Sequence, residues 1–337
     1  MDSLTQIVLG GAVAAAIAPA RHRRAALLAG AALGTLPDLD SFLIKPFTDN
    51  PVTLMTVHRS FSHSLLVLPF VGWLLWRLFK QRGGRVADSP TRWFWAMQAA
   101  LLTHPLLDAF TVYGTQLWWP LPAQPTSWST VFIIDPGYTL WLLLACGFAA
   151  WAAERASAQR ALVGGLLLSS AYLGWSLVAK HSVDRDAARA LAAMGLADAP
   201  RLSTPMPLNT LLWRVIVMTP DGYLEGQRSI VADTGPMTFE RFDSDVTALA
   251  AARDVPAVQR LQWFNGGFMR AQTTPEGTLV LSDLRMGMAP SYSFEFEVAR
   301  RADGAWQAVP PTQREWKVPT GDFGALWQRI WHAPPAP

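Results

Sequence analysis

The sequence predicts an α-helical polytopic membrane bundle of about six transmembrane helices, followed by a C-terminal soluble α+β domain. The 337 residues are 51% hydrophobic and only 16% charged, whereas soluble domains are about 25% charged. The charges are also unevenly divided: residues 1–180 hold 13 Lys/Arg and 8 Asp/Glu, and residues 181–337 hold 15 and 17. We therefore expect a transmembrane domain over residues 1–180 and a soluble domain over residues 181–337.

Six apolar segments precede residue 180, and each approaches the roughly 20 residues that a spanning helix needs. They are Leu4–Ala20, Ala25–Ile44, Ser64–Phe79, Trp93–Tyr113, Tyr138–Ala153 and Ala161–Ala179. Several are at the short end of the range, so tilted or re-entrant helices are compatible with the pattern. The first segment lacks a basic stretch before it and is therefore interpreted as a retained helix rather than a signal peptide.

The basic residues predict the orientation. Ten of the thirteen lie at the end of, or in the loops after, the first, third and fifth segments, and the exceptions are Lys45, Arg59 and Lys180. Positively charged loops stay in the cytoplasm during insertion. Both chain ends and the C-terminal domain are accordingly expected on the extracytoplasmic side.

The tail carries alternating helix and strand signals. Helices are predicted at Ser182–Gly195, within Asp243–Asn265 as one or two helices, and at Gly321–Trp331. Thr219–Gly222 has the composition of a hairpin turn. The predicted strands are Leu211–Met218, Tyr223–Ala232, Phe268–Thr273, Thr278–Leu284 and Tyr292–Arg300.

Histidine and aspartate are concentrated in three patterns of the N-terminal half, Pro37–Asp40, His58–Ser64 and His104–Asp108. The predicted topology places all three on the outer side. Spacing of i, i+4 puts the imidazole and the carboxylate of the third pattern on one helical face. Such groups are ligands of zinc, manganese and iron. The candidate metal ligands are Asp38, Asp40, His58, His63, His104 and Asp108.

Each pattern alone also has a purely structural explanation, as a turn, a helix cap or a hydrogen-bonded core pair. The three together favour a shared divalent metal site, with zinc as the first choice and manganese or iron as alternatives. Six groups exceed the need of one tetrahedral zinc. Either two metals bind, or some of the groups support ligands without touching the metal.

Two further residues have candidate catalytic roles. Asp135 opens the fifth segment and is a candidate general base, or orients another group; the alternative is a helix cap. Arg59 is a candidate for binding the anionic group of a substrate through two parallel hydrogen bonds. Its alternative role is an anchor to lipid headgroups.

Other chemistries lack support. The single cysteine, Cys146, excludes intramolecular disulfides and cysteine-based zinc sites. No Gly-x-Ser-x-Gly elbow, dinucleotide fingerprint or phosphate loop is present. The basic residues are scattered over loops, so no nucleic-acid partner is expected.

Six motifs of the N-terminal half occur in the order found in one family of membrane proteins: Met1–Gln6, Gly34–Asp40, His58–Ser64, His104–Asp108, Tyr113–Leu117 and Phe132–Thr139. The chain resembles the YdjM-like inner-membrane proteins, which are predicted metal-dependent hydrolases. The resemblance continues more loosely through Asn209–Arg214 and Ser282–Gly287. Many members of the family have a histidine where this chain has Gln6. The resemblance implies a multi-pass protein of the bacterial inner membrane.

The leading functional hypothesis is a metal-dependent hydrolase at the outer face of the membrane, acting on an ester or phosphoester of a lipid-like, anionic substrate. The alternative is a non-enzymatic membrane protein, with a structural metal site or a role in ion or small-molecule transport. Transporters carry polar residues through the midplane of several helices, whereas here they crowd one predicted side. A third hypothesis makes the tail the active part, but the tail lacks a comparable cluster.

Overall fold

The computed structural model describes residues 1–316 and 323–334. The chain forms two compact units. The first consists of Met1–Ile44, His58–Ser176 and Pro207–Asn209. The second consists of Lys45–Val57, Leu177–Met206 and the described part of Thr210–Pro337.

Helices dominate the N-terminal half, and shorter ones recur in the tail. In chain order they are α1 (Ser3–Ile17), α2 (Arg23–Thr35), α3 (Asp40–Ile44), α4 (Pro51–Val57), α5 (Leu68–Gln81), α6 (Gly84–Asp88), α7 (Pro90–Asp108), α8 (Pro136–Ala152), α9 (Ala156–Ala193), α10 (Val246–Ala251), α11 (Pro256–Asn265) and α12 (Phe323–Trp331). All six apolar segments are helical, as predicted. The helix predicted at Ser182–Gly195 is the C-terminal part of α9 rather than a separate element.

The prediction of six transmembrane helices is not supported. Among the described residues, Ala20–Phe47 and Ala156–Ala193 are long and apolar enough to cross a membrane, and a third span results if the bent pair Pro51–His63 and Leu68–Gln81 counts as one. Helices α1 and α8 have only 15 and 17 residues, short of the usual spanning length. Hydrophobic composition alone had made the six segments look equivalent.

Glycines allow α1 and α2 to approach closely. A Cβ atom on Gly10 would lie 2.3 Å from the carbonyl oxygen of Gly30, and one on Gly34 would lie 2.4 Å from the carbonyl oxygen of Gln6. Gly30 and Gly34 are four residues apart, the small-residue spacing that lets helix backbones touch. Helix α1 also packs against α7 and α8. This crossing brings Gln6 and the end of α2 next to α7.

The second unit contains two four-stranded antiparallel sheets, with strand orders β1-β2-β3-β4 and β10-β9-β6-β5, and a small β7-β8 ladder. The strands are β1 (Arg201–Pro205), β2 (Leu212–Thr219), β3 (Gly222–Ser229), β4 (Glu240–Asp243), β5 (Met269–Thr273), β6 (Thr278–Asp283), β7 (Gly287–Met288), β8 (Ser291–Tyr292), β9 (Glu295–Ala302) and β10 (Ala305–Gln313). The predicted hairpin is present, since Thr219 pairs with Gly222.

The strands that the sequence did not predict include β1, β4 and β10, which are edge strands. Two of them contain proline, which is tolerated at a sheet edge because it donates no ladder hydrogen bond. Asp243–Asn265 forms two helices, α10 and α11. Part of the helix predicted at Gly321–Trp331 lies outside the described residues, and the described part is α12.

Candidate metal centre

Four of the predicted ligands meet in the first unit. Asp38 lies in the 3-10 turn Leu36–Leu39 that follows α2, and His63 ends the 3-10 turn Phe61–His63. His104 and Asp108 lie one turn apart at the end of α7. One ligand atom from each of these four residues lies within 4.8 Å of the other three, and no second such group occurs among the described residues.

The distances between the ligand atoms fit one small cation. The Nε2 atoms of His63 and His104 are 3.1 Å apart. Asp108 Oδ2 lies 3.2 Å from the first and 3.4 Å from the second, and Asp38 Oδ1 lies 3.4 Å from each. A tetrahedron with metal–ligand bonds of about 2.0–2.1 Å has edges of about 3.3–3.4 Å. The five distances therefore match a single tetrahedral ion better than two metals.

The other ring nitrogen of each histidine is already used. Nδ1 of His104 lies 2.5 Å from the carbonyl oxygen of Gly34, which only accepts, so Nδ1 carries the proton. Nδ1 of His63 lies 2.9 Å from Oγ of Ser62, whose own proton goes to Asp40. In the neutral form of each ring, Nε2 consequently carries a lone pair, which points toward the other ring.

This arrangement fits a cation. Asp38 Oδ1 and Asp108 Oδ2 are buried and accept no hydrogen bond within the described part of the chain. Two imidazole lone pairs and two carboxylate oxygens in mutual contact repel one another unless positive charge lies between them. His63, His104 and Asp108 are fully buried, whereas the Asp38 side chain is 23% exposed. Asp38 is thus the most exposed of the four residues.

Gln6 and Arg59 hold Asp108 from outside the group of four. Gln6 Nε2 donates to Asp108 Oδ1 at 3.0 Å and to the carbonyl oxygen of His104 at 3.3 Å. Arg59 Nε lies 3.2 Å from Asp108 Oδ2, and its guanidinium lies 5.0 Å from the centre of the Tyr113 ring. The amino group of Met1 also contacts Asp108. In the sequence, Gln6 stands out only because many family members have a histidine there. A glutamine within an apolar helix is, however, itself a sign of a polar partner.

Asp40 and His58 lie outside the group, although the sequence placed them among the candidate ligands. His58 Nδ1 is 2.7 Å from Asp40 Oδ1, and Asp40 Oδ2 accepts from the backbone N–H of Arg59 and from Ser62 Oγ. Residues two apart point to different sides of a helical turn, which separates Asp40 from Asp38. Both oxygens of Asp40 are therefore occupied by protein donors.

Asp135 has the contacts of a helix cap. Its side chain accepts from the backbone N–H groups of Gly137 and Tyr138 at the start of α8, and from the hydroxyl of Tyr172 at 3.0 Å. Burial raises the pKa of Asp135, although the hydroxyl and the two N–H groups act in the opposite direction. Its role as a general base stays a prediction.

A comparison with known protein families identifies the family of this chain. A family model described as YdjM inner membrane protein matches residues 1–183. The chain belongs to the YdjM family. The YdjM match covers more than half of the chain, includes all four clustered residues, and ends within α9, before the first sheet. No curated protein and no solved structure matches the chain.

Proposed function

We propose that this YdjM protein is a metal-dependent hydrolase of the inner membrane that cleaves an ester or phosphoester of a lipid-like substrate at the outer face. The observation that supports it is the convergence, within 4.8 Å, of the two imidazole groups and of two carboxylate oxygens that accept no hydrogen bond within the described part of the chain. Few buried groups other than metal ligands tolerate such an arrangement.

Asp38, His63, His104 and Asp108 are the residues that would hold a divalent ion, zinc first and manganese or iron as alternatives. When bound, the ion would supply Lewis-acid activation of a water molecule and of the scissile group. The three buried ligands, two histidines and one carboxylate, match the ligand count of catalytic zinc sites.

Arg59 supplies fixed positive charge beside the cluster. Its Nε faces Asp108, and its Nη1 donates to Thr111 Oγ1 at 3.3 Å. These contacts and the Tyr113 ring hold the guanidinium in one orientation. Arg59 also has a backbone φ of 63°, an uncommon conformation that recurs at functional sites. A phosphate or carboxylate of the substrate would be attracted to this charge.

One observation supports the competing function, a structural metal site. Four protein ligands are the number typical of closed structural zinc sites, whereas catalytic sites keep an open position. Asp38 is the most exposed of the four residues, and an open site would require a water molecule to replace it as a ligand. Activity measurements separate the two functions.

The test uses the full chain, purified in detergent and loaded with zinc, manganese or iron. We expect the loaded protein to hydrolyse phospholipids or isoprenoid phosphates. A chelator should remove this activity, and added metal should restore it. His63→Ala and His104→Ala should abolish both metal binding and hydrolysis, while His181→Ala, an exposed histidine of the tail, should change neither. The proposed function would be contradicted if the wild-type protein binds stoichiometric metal but the His63→Ala variant still hydrolyses the substrate.

A further inference from the structure

We propose that Ser62 and Asp40 are positioning residues, which lock the imidazole of His63 in the tautomer whose Nε2 binds a metal. The inference rests on the metal site of the proposed function, but it does not depend on hydrolysis. It also changes the expected role of Asp40, from a ligand to a support of a ligand.

A short chain of hydrogen bonds leads from Asp40 to the cluster. Ser62 Oγ lies 2.7 Å from Asp40 Oδ2 and 2.9 Å from His63 Nδ1. His63 Nε2, at the far side of the same ring, belongs to the group of four. Asp40 is only 1% exposed, so water does not compete effectively for its oxygens.

The direction of these hydrogen bonds is fixed by Asp40. Its Oδ2 already accepts from the backbone N–H of Arg59 at 3.0 Å, and an ionised carboxylate has no proton to donate. The single hydroxyl proton of Ser62 therefore goes to Asp40. Ser62 Oγ is left with lone pairs only, so it accepts the Nδ1 proton of His63 and leaves Nε2 free.

His58 stabilises the other oxygen of Asp40. Its Nδ1 lies 2.7 Å from Asp40 Oδ1, and its side chain is partly exposed. Together with Arg59 and Ser62, it keeps the Asp40 carboxylate in one orientation. The arrangement parallels the role of the Gly34 carbonyl oxygen toward His104: each imidazole has its own acceptor at Nδ1. Such acceptors orient metal-binding histidines and raise their basicity.

Asparagine at position 40 separates a positioning role from a ligand role. In Asp40→Asn the amide oxygen can still accept from Ser62 and from the Arg59 N–H, while the NH2 group faces His58, whose Nδ1 accepts in its other tautomer. The His63 tautomer is then preserved. At a metal ligand such as Asp38, the same substitution removes the anionic oxygen that the ion needs.

The experiment is a zinc titration of the full-length protein in detergent, with Ser62→Ala, Ser62→Thr, Asp40→Asn, Asp40→Ala and Asp38→Asn. Ser62→Ala and Asp40→Ala should weaken zinc binding about 10- to 100-fold. Ser62→Thr, which retains the hydroxyl, should restore most of the affinity. Asp40→Asn should stay within about threefold of wild type, because the acceptor is retained. Asp38→Asn should lose zinc.

A spectroscopic measurement accompanies the titration. In the metal-free wild-type protein, ¹⁵N NMR should show His63 with a protonated Nδ1 and an unprotonated Nε2. In Ser62→Ala the two nitrogens should shift toward a mixture of tautomers, which a purely structural contribution of Ser62 would not cause. This readout also decides the inference if the wild-type protein hydrolyses nothing.

Three results would overturn the inference. One is wild-type zinc affinity in Ser62→Ala, and another is an Nε2-protonated His63 in the wild-type protein. The third is a loss of zinc in Asp40→Asn as complete as in Asp38→Asn, which would make Asp40 a ligand. Normal zinc binding and the expected tautomer without hydrolysis would leave this inference standing and reject the proposed function instead.

Discussion

The carbonyl oxygen of Gly34 lies 2.5 Å from Nδ1 of His104. Gly34 is also where the last turn of α2 touches α1, since the space of its missing Cβ is taken by the carbonyl oxygen of Gln6. Two requirements therefore meet at one residue: close packing of α1 on α2, and an acceptor for a candidate metal ligand. The packing of the helices and the chemistry of the cluster are coupled through this backbone position.

Gly34→Ala should reduce both stability and zinc binding. The new methyl group would lie 2.4 Å from the carbonyl oxygen of Gln6, so α1 and α2 must separate. Overpacking of this kind costs about 1–3 kcal/mol. Thermal unfolding and zinc titration measure the two effects. Gly174→Ala is the matched control, because a Cβ there meets nothing within 4 Å, and wild-type zinc affinity in Gly34→Ala would contradict the coupling.

Gln6→Ala should weaken zinc binding about 10-fold or more, because Asp108 loses a donor that fixes its carboxylate. Gln98→Ala serves as the control: it removes another buried glutamine of the first unit, one that donates to the carbonyl oxygen of Pro69. Equal losses in the two variants, measured by zinc titration, would show a general packing effect. A selective loss in Gln6→Ala would confirm the contact with Asp108.

Arg59→Lys should weaken the binding of anionic substrates more than that of neutral ones. Lysine keeps the positive charge but lacks the planar fork that binds an oxyanion through two hydrogen bonds. The measurement is the ratio of KM values for a phosphate-bearing and a neutral ester, in wild type and variant. If both KM values rise by the same factor, Arg59 has no role in recognising the anionic group.

Glu225→Ala should destabilise the second unit. Arg214 is buried, and its Nη2 lies 3.3 Å from Glu225 Oε1, which also accepts from the Tyr292 hydroxyl at 2.8 Å. Removing the partner of a buried charge costs about 3–5 kcal/mol. Thermal unfolding of the full chain, followed by circular dichroism, should show a lower Tm. The exposed Glu240 provides the control, since Glu240→Ala should change Tm little.

The sequence predicted the four clustered residues because their types and spacing are informative by themselves. His104 and Asp108 share a helical face at i, i+4, and charged groups in apolar surroundings need partners. It could not separate Asp38 from Asp40, because the face on which each lies depends on the turn that follows α2. Ser62 acts through two hydrogen bonds and Gly34 through one, and no residue pattern indicates these contacts.

The fold, like the site, was predicted from the sequence only in part. The helical character of the first half and the hairpin at Thr219–Gly222 follow from local composition and turn chemistry. The number of spanning helices did not follow, since helix lengths depend on where α1 and α8 end. Edge strands β1 and β10 were not predicted, because their prolines obscure the strand pattern. Which side of the membrane the second unit occupies stays a prediction from the basic loops.

The central claim is that Asp38, His63, His104 and Asp108 hold one metal ion. X-ray absorption at the zinc edge of the stoichiometrically loaded full chain tests it most directly. We expect one zinc ion per chain, nitrogen and oxygen ligands at about 2.0–2.1 Å, scattering from two imidazoles in the wild-type protein, and loss of one imidazole or of the metal in His104→Ala. A protein that binds no metal, or a zinc site unchanged in His104→Ala, would contradict the account.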